Sequence, residues 1–467
     1  MVDEQAQDSA KLPLFTRLWL TPVRMARVIF LLLPIYLGYA WLMIRRRLGV
    51  PASAERWERT HQRSAARFVR VAQDMKGGLI KLGQIISTRV DLVPATWIEQ
   101  LTPLQDKVEP ADWSVVEKHL EREFGETPED RFETIEKRAC AAASFGQVHR
   151  ATTKDGRSVA LKVRYPDIKL KLACDLSALR LAVPFFNLFV PKVPLGAIYG
   201  EIGRALEAEL DYRSEARFGR IIRKNLAEMA GVSIPEVIDE HSTDSVLCTE
   251  FFEGLKVTDA EGLKAAGIET HDVIRQVMHA YTHMFFADGV FQSDPHPGNL
   301  LVRREDEGPL VCILDFGQCK ELPRGFHAQL VRCAMAFMVR DVDGFSRSII
   351  ELGMLNEEDT VAARPLLEEF FGEMFEMSPE ELKALDVSGL KEKLKVFTKR
   401  IDGLVIPQDI VLYGRAFSLL AGVVTQLDSS VNGFVLARPL IMETLMKSGA
   451  FAQPAPAHSK PQAVAVG

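Results

Sequence analysis

The spacing of apolar and polar positions divides the chain into helical and extended stretches in a definite order. From Ala54 to about Val116 apolar residues recur at helical spacing among arginines. Between about Trp113 and Val163 the runs shorten: Phe145 to Ala151 and Ser158 to Val163, separated by Lys154-Asp155-Gly156, predict a hairpin. Helical periodicity returns over Ile168 to Phe189 and Leu195 to Leu226. Ser245 to Phe252 reads as one more strand, ending at Glu253-Gly254, and the chain is then mainly helical to about Lys447. Ala450 to Gly467, rich in proline and alanine, reads as a disordered tail. No repeat of solenoid length is present.

One stretch departs from this soluble pattern. Val28 to Ile44 holds no charged residue and is flanked by Arg24 and Arg27 on one side and Arg45, Arg46 and Arg47 on the other. It is slightly short for a spanning helix, which needs about 20 apolar residues, and Pro34 and Gly38 interrupt it. Interfacial insertion, a re-entrant hairpin and a full span are all open, as is a helix buried against the rest of the chain. Trp19, Tyr36, Tyr39 and Trp41 suit a headgroup region and the arginines suit anionic lipid. No cleavage site for a signal peptide follows.

Composition narrows the function classes. At 467 residues the chain suits two or three domains, and 47% hydrophobic with 26% charged residues marks a globular protein. Lys and Arg total 57 against 63 Asp and Glu, a net charge of -6, so no basic field points to nucleic acid. The six cysteines form no CxxC pair or zinc-spaced cluster and read as reduced, mostly buried thiols of a cytosolic compartment.

Four separated motifs carry chemistry. Val159-Ala160-Leu161-Lys162-Val163 buries one lysine in an apolar strand, which is costly unless its ammonium meets a fixed anion such as a nucleotide phosphate. Upstream, Ala141 to Val148 can be laid on the glycine-loop pattern G-x-G-x-x-G-x-V. Gly146 and Val148 are in place, while Ala141 and Ala143 stand where glycines are expected and add side chains close to a phosphate. Ala142 and Ser144 belong to the same loop, and Glu250, near the end of the later strand, joins these candidate nucleotide-binding residues. Downstream, Asp294-Pro295-His296-Pro297-Gly298-Asn299 reproduces the D-x-x-x-x-N spacing of a kinase catalytic loop. Asp294 would orient or deprotonate the attacking group and Asn299 would bind a metal; His296, bracketed by prolines, reads as a loop-fixing hydrogen-bonder. Asp315-Phe316-Gly317, closing the apolar strand Val311 to Leu314, is the arrangement that holds magnesium between phosphates. In this order the motifs predict an α+β, protein-kinase-like fold using ATP and magnesium.

These residues, with Lys81-Leu82-Gly83-Gln84 and Glu209-Leu210-Asp211, closely resemble the UbiB (AarF) family of atypical kinases from roughly Ala54 to Leu427. The resemblance implies two lobes preceded by a helical extension, and a mostly helical C-lobe. The expected segments are 1–53 (membrane-associating), 54–115 (extension carrying K-x-G-Q), 116–255 (N-lobe with inserted helices), 256–449 (C-lobe) and 450–467 (tail). It further implies that Lys81 reaches into the active site as a catalytic residue, that Glu215 pairs with Lys162, and that Glu209 and Asp211 anchor the extension. Support of ubiquinone-type isoprenoid synthesis at the cytosolic membrane face is the implied function. The implied partners are membrane lipid or a quinone precursor and quinone-biosynthesis enzymes.

After Gly317 only eight residues, Gln318 to Gly325, precede a new helical pattern at Phe326, and no A-P-E motif follows nearby, so the peptide-docking segment of protein kinases is missing. ATP hydrolysis coupled to a lipid, or phosphorylation of a small lipid-like molecule, fits better. The alternatives are a nucleotide-sensing scaffold without turnover and a phosphotransferase for a soluble small molecule.

Overall fold

The computed structural model describes residues 14–75, 77–87, 93–104, 110–142, 144–187, 195–376, 400, 404–431 and 433–447. The predicted tail, 450–467, lies outside them. The chain divides into two compact units, Met1–Ala216 with Val237–Phe251 and Arg217–Glu236 with Phe252–Gly467. Residues 54–115 fall in the same unit as the hairpin strands.

The first unit begins with the helices α1 (Leu14–Arg47), α2 (Ala54–Met75), α3 (Gly78–Ser87), α4 (Ala95–Leu101), α5 (Trp113–Phe124) and α6 (Pro128–Arg131). Next come the strands β1 (Phe132–Ile135), β2 (Ala141–Ala142), β3 (Gly146–Thr153) and β4 (Ser158–Arg164). Helices α7 (Ile168–Asn187), α8 (Leu195–Ala208) and α9 (Tyr212–Asn225) follow, the last running on into the second unit. After the short β5 (Val232–Ser233), β6 (Val246–Glu250) completes an antiparallel sheet of order β1-β3-β4-β6, with β2 on β3. The predicted hairpin is β3–β4, and Gly156 supplies the positive φ of its turn.

Of the alternatives left open for 28–44, the re-entrant hairpin is not what forms. Helix α1 runs unbroken through Pro22 and Pro34. On one face Val28, Leu31 and Ile35 are buried with Phe68, Ala72, Leu79 and Leu101, and Leu42 is buried as well. At roughly 1.5–3 kcal/mol for each fully buried aliphatic side chain, that face ties the helix to its own unit. Arg24 completes the attachment: its guanidinium donates to both Asp175 oxygens, at 2.8 and 2.7 Å, and to the Met75 carbonyl at 3.0 Å. Burial nonetheless raises the Asp175 carboxyl above its usual range. The opposite face, Phe30, Leu33, Leu37, Trp41, Ile44 and Leu48, is exposed. Of the expected interfacial rings Trp41 is exposed, while Tyr36 stacks edge-on against Phe185. Tyr39 turns inward instead, accepting from Trp97 Nε1 at 3.0 Å and bonding His61 Nδ1 at 2.7 Å. The Trp19 side chain lies outside the described set.

The second unit holds more strand than the mainly helical reading allowed. After β7 (Leu255–Lys256), α10 (Ala260–Ala265) and α11 (Thr270–His283), a single π-helical turn, Met284–Asp288, leads into β8 (Val290–Gln292). Strands β9 (Leu300–Glu305), β10 (Gly308–Ile313) and β11 (Cys319–Glu321) follow, then α12 (Arg324–Met338), α13 (Val342–Glu351), α14 (Glu357–Glu376), α15 (Gln408–Leu427) and α16 (Gly433–Lys447). One sheet has the order β5-β10-β9-β7; β8 and β11 form a two-stranded ribbon. These strands are two to six residues long between loops, too brief for periodicity to separate from helix. The core gathers Val277, Tyr281, Phe285 and Phe291 with Leu420 and Val424 of α15. Helices α1 and α15 are each long and apolar enough to cross a membrane; α15 places its small and branched residues in this core. All six cysteines are free; three are buried and Cys140 is exposed.

Candidate active site

In the first unit the sheet register builds a row. Ala141 pairs with Val148, Val148 with Lys162 and Lys162 with Leu247. Directly opposed residues in antiparallel strands share a face, so Ala141, Val148 and Lys162 stand side by side. The other face, with Val159, Leu161 and Val163, packs into the hydrophobic core. Glu250 opposes Val159, which puts its side chain on the core-side face parity, away from Lys162. Ala143 lies outside the described residues.

Lys162 is met by the predicted glutamate: its Nζ donates to Glu215 Oε1 at 2.7 Å and Oε2 at 2.9 Å. The Glu215 side chain is 4% exposed and that of Lys162 21%. Tyr212 lies beneath, its ring centre 5.3 Å from Nζ. Glycine at 146 is demanded by packing: a Cβ there would come within 2.4 Å of the Val163 carbonyl oxygen. This is a strand-to-strand constraint, distinct from the phosphate approach that motif matching suggests.

The K-x-G-Q segment occupies α3. Lys81 Nζ lies 2.7 Å from Glu209 Oε2, so its ammonium is committed to the turn between α8 and α9. Gln84 donates to the Leu104 carbonyl at 2.8 Å and accepts from Ser144 Oγ at 3.2 Å, joining the extension to the alanine-rich loop. A Cβ on Gly83 would sit 2.5 Å from Leu104 Cδ1 and 3.1 Å from Phe68 Cε1, so a larger residue there would have to displace both side chains. Glu209 therefore anchors the extension as expected. Asp211 does not: its carboxylate accepts from the Ser214 amide at 3.0 Å and caps α9, the helix that carries Glu215. The break at Asp211 splits the single helical stretch expected from Leu195 to Leu226.

Sequence reasoning missed Arg164. Buried at the end of β4, it donates to the Leu210 carbonyl at 2.7 Å and the Asp244 carbonyl at 2.8 Å, holding the turn between Glu209 and Asp211 against the sheet. A second charged residue in the lysine strand was the available signal.

In the second unit, backbone pairing does the positioning. Cys319 pairs with Gln292 across the β8–β11 ribbon, and Ile313 with Leu300 across β9–β10. The loops 293–299 and 314–318 are thereby held side by side. Further clasps are Ser293 N to Gln318 O at 2.8 Å and Leu314 N to Asn299 O at 2.8 Å. Buried Gln292, also missed from sequence, donates to the Leu314 and Asp315 carbonyls and accepts from the Tyr281 hydroxyl. His296 fixes the loop as expected: its Nδ1 accepts from the Gly298 amide at 3.0 Å, capping the short helix Pro297–Asn299. Asp315 has φ of 59°, a left-handed conformation uncommon outside glycine, and its Oδ1 accepts from Gly317 N at 3.1 Å. Phe316 is buried, whereas Asp315 is exposed and Asp294 and Asn299 are half-buried.

Asn299 and Leu314, the neighbour of Asp315, are thus hydrogen-bonded, which brings an amide oxygen and a carboxylate onto adjacent loops. One carboxylate with one amide suits magnesium, which keeps waters and takes remaining ligands from phosphates. Among the described residues no group of three or more His, Cys, Asp or Glu forms a closed metal cage.

Residues 103–349 match the model of the ABC1 atypical kinase-like domain. The chain is 32% identical over 414 residues to the uncharacterized Synechocystis protein sll0095, covering 87% of this chain and 71% of that one. It is 29% identical over 431 residues to a probable protein kinase UbiB of Xylella fastidiosa, covering 86% and 77%. It is 30% identical over 397 residues to the chloroplastic protein ACTIVITY OF BC1 COMPLEX KINASE 8 of Arabidopsis thaliana, spanning about half (52%) of that relative. A solved complex of Rv3197 with erythromycin from Mycobacterium tuberculosis aligns with a TM-score of 0.52 at 24% identity, over 84% of this chain and 97% of that one. At that identity the likeness concerns the fold.

Proposed function

Because the chain belongs to the ABC1 atypical kinase-like family, we propose that it uses magnesium-ATP at a membrane surface to support isoprenoid quinone synthesis. The observation that carries the nucleotide part is the Lys162–Glu215 pair: a strand lysine whose ammonium is held in place by both oxygens of a buried glutamate is the arrangement that kinases use to meet nucleotide phosphates. In this reading Asp315 and Asn299 bind the magnesium, which would neutralise charge on the phosphates. Asp294 positions the acceptor hydroxyl or water, while Ala141, Ala142, Ala143, Ser144, Gly146 and Val148 cover the nucleotide with less backbone freedom than a glycine loop. Glu250 enters only through its main chain.

Lys81 acts through Glu209. The pair fixes the turn whose Asp211 caps α9, and α9 carries Glu215, so the extension bears on the setting of Lys162. The membrane part is supported by the exposed apolar stripe of α1, which ends in Arg45, Arg46 and Arg47. An amphipathic helix of this kind lies in the plane of an anionic bilayer. Partners are then lipid or quinone precursors and enzymes of quinone synthesis, with no nucleic acid.

Magnesium-dependent ATP hydrolysis should be measured with and without anionic vesicles. Stimulation by vesicles, and loss on Asp315→Asn, is expected; turnover unchanged by Asp315→Asn contradicts the metal assignment. Nucleotide binding without hydrolysis under every lipid condition would leave the scaffold reading in its place.

A further inference from the structure

The second unit contains a cavity of about 690 Å³ that none of Asp294, Asn299 or Asp315 lines. Its volume falls in the range of pockets for small organic ligands. It is built where the end of α9, one face of α11 and the end of α16 meet. On α11, Arg275, His279 and His283 recur every four residues and so share that face.

Positive charge dominates the wall. Lys224, Arg275 and Lys447 face the single lining carboxylate Glu228. Glu443 engages Lys447 at 2.6 Å, whereas Lys224 and Arg275 make no ion pair among the described residues. Lys224 and Lys447 close their helices, where cations suit the terminal carbonyls. Arg275 stands in the second turn of α11, where the helix dipole gives no reason for a cation.

An independent feature points to a ligand. Thr444 lines the cavity, is 3% exposed, and its Oγ1 has no hydrogen-bond partner. Thr425 on α15 shows the usual resolution, donating to the carbonyl four residues back at 3.0 Å. A buried hydroxyl left unbonded is unfavourable, and a ligand acceptor in the cavity would satisfy it.

We propose that this cavity binds a phosphorylated small molecule. Lys224, Arg275 and the Thr444 hydroxyl take the phosphoryl group, and Met229, Ala230 and Ala287 take the carbon body. His279, which burial holds below the ordinary histidine range and therefore neutral, offers one further donor or acceptor. The proposal does not rest on the nucleotide reading.

The test is calorimetric titration of the full chain with phenyl phosphate, on a Lys162→Met background that silences phosphate binding at the candidate nucleotide site. Should that variant not fold, the wild type saturated with a non-hydrolysable ATP analogue serves the same purpose. Saturable binding is expected, weakened about tenfold by Arg275→Gln and about threefold by Thr444→Val, which keeps the side-chain shape. A parallel arm measures flotation with phosphatidylglycerol and phosphatidylcholine vesicles. Arg275-dependent binding to phosphatidylglycerol vesicles alone assigns the phosphoryl group to a lipid headgroup; dependence with phenyl phosphate assigns it to a soluble ester. No binding of either probe, or binding that Arg275→Gln and Thr444→Val leave unchanged, overturns the proposal.

Discussion

The two units prepare their candidate residues by different means. In the first, charged side chains far apart in sequence find one another: Lys162 with Glu215, and Lys81 with Glu209. In the second, two short strand pairings and a few main-chain hydrogen bonds hold the loops of Asp294, Asn299 and Asp315. The first arrangement fixes the position of its lysine through a side-chain partner. The second fixes its carboxylates through the backbone of the loops that carry them. A cation that must hold phosphates benefits from orientation by a partner, whereas metal-binding oxygens depend on loops held in register.

Deleting one charge should do most damage in the first unit. Glu215→Ala strands the Lys162 ammonium and is expected to cost about 3 kcal/mol by urea unfolding, near the lower end for a broken buried pair since Lys162 keeps some solvent. Gln292→Leu is the counterpart in the second unit. It removes the donor that the Leu314 and Asp315 carbonyls share and is expected to cost about 2 kcal/mol. Magnesium-ATP affinity should fall with it, as the Asp315 turn loosens. An equal cost for the two variants would erase the distinction between the units.

Gly83→Ala probes packing without charge. The added methyl meets Leu104 Cδ1, and a loss of about 1–3 kcal/mol is expected from overpacking, read as a lowered unfolding midpoint. Activity lost without any change in that midpoint would mean that α3 is held by something other than this contact.

The smallest effect is on pH. Burial lowers His149 in the first unit and His327 in the second below the ordinary value of 6.5. His149 is bonded in its neutral form, with Nδ1 2.8 Å from the Glu136 carbonyl oxygen and Nε2 2.9 Å from Gln147 Nε2. Below 6.5 the unfolded chain takes up protons that the folded chain resists, so stability present above that pH is lost as pH falls. The loss is at most about 1.4 kcal/mol per pH unit for each histidine. His149→Gln should flatten the acid side of a thermal-stability profile; a profile still as steep would contradict this assignment.

What could be read from sequence follows the same division. The second unit's motifs are contiguous, because loops clasped by their own flanking strands keep functional residues within a few positions. Asp294, Asn299 and Asp315 therefore stand in motifs that can be picked out by spacing, and the loop-fixing hydrogen bond expected of His296 is present. In the first unit the Lys162–Glu215 pair came only through resemblance, since nothing local links residues 53 apart. Asp211 was misplaced because a cap and an anchoring carboxylate look alike in sequence. The face that Glu250 takes was not legible, because strand register, which decides faces, is set by pairing and not by composition. The unbroken course of α1 through Pro34 was hidden as well: its buried face and the Arg24–Asp175 pair outweigh one lost helical hydrogen bond.

The most direct test of the account is calorimetric ATP binding with and without magnesium. The account predicts that Lys162→Met weakens ATP binding under both conditions, and that Asp315→Asn leaves magnesium-free binding intact while abolishing the gain that magnesium brings. Wild-type magnesium dependence in Asp315→Asn would contradict it.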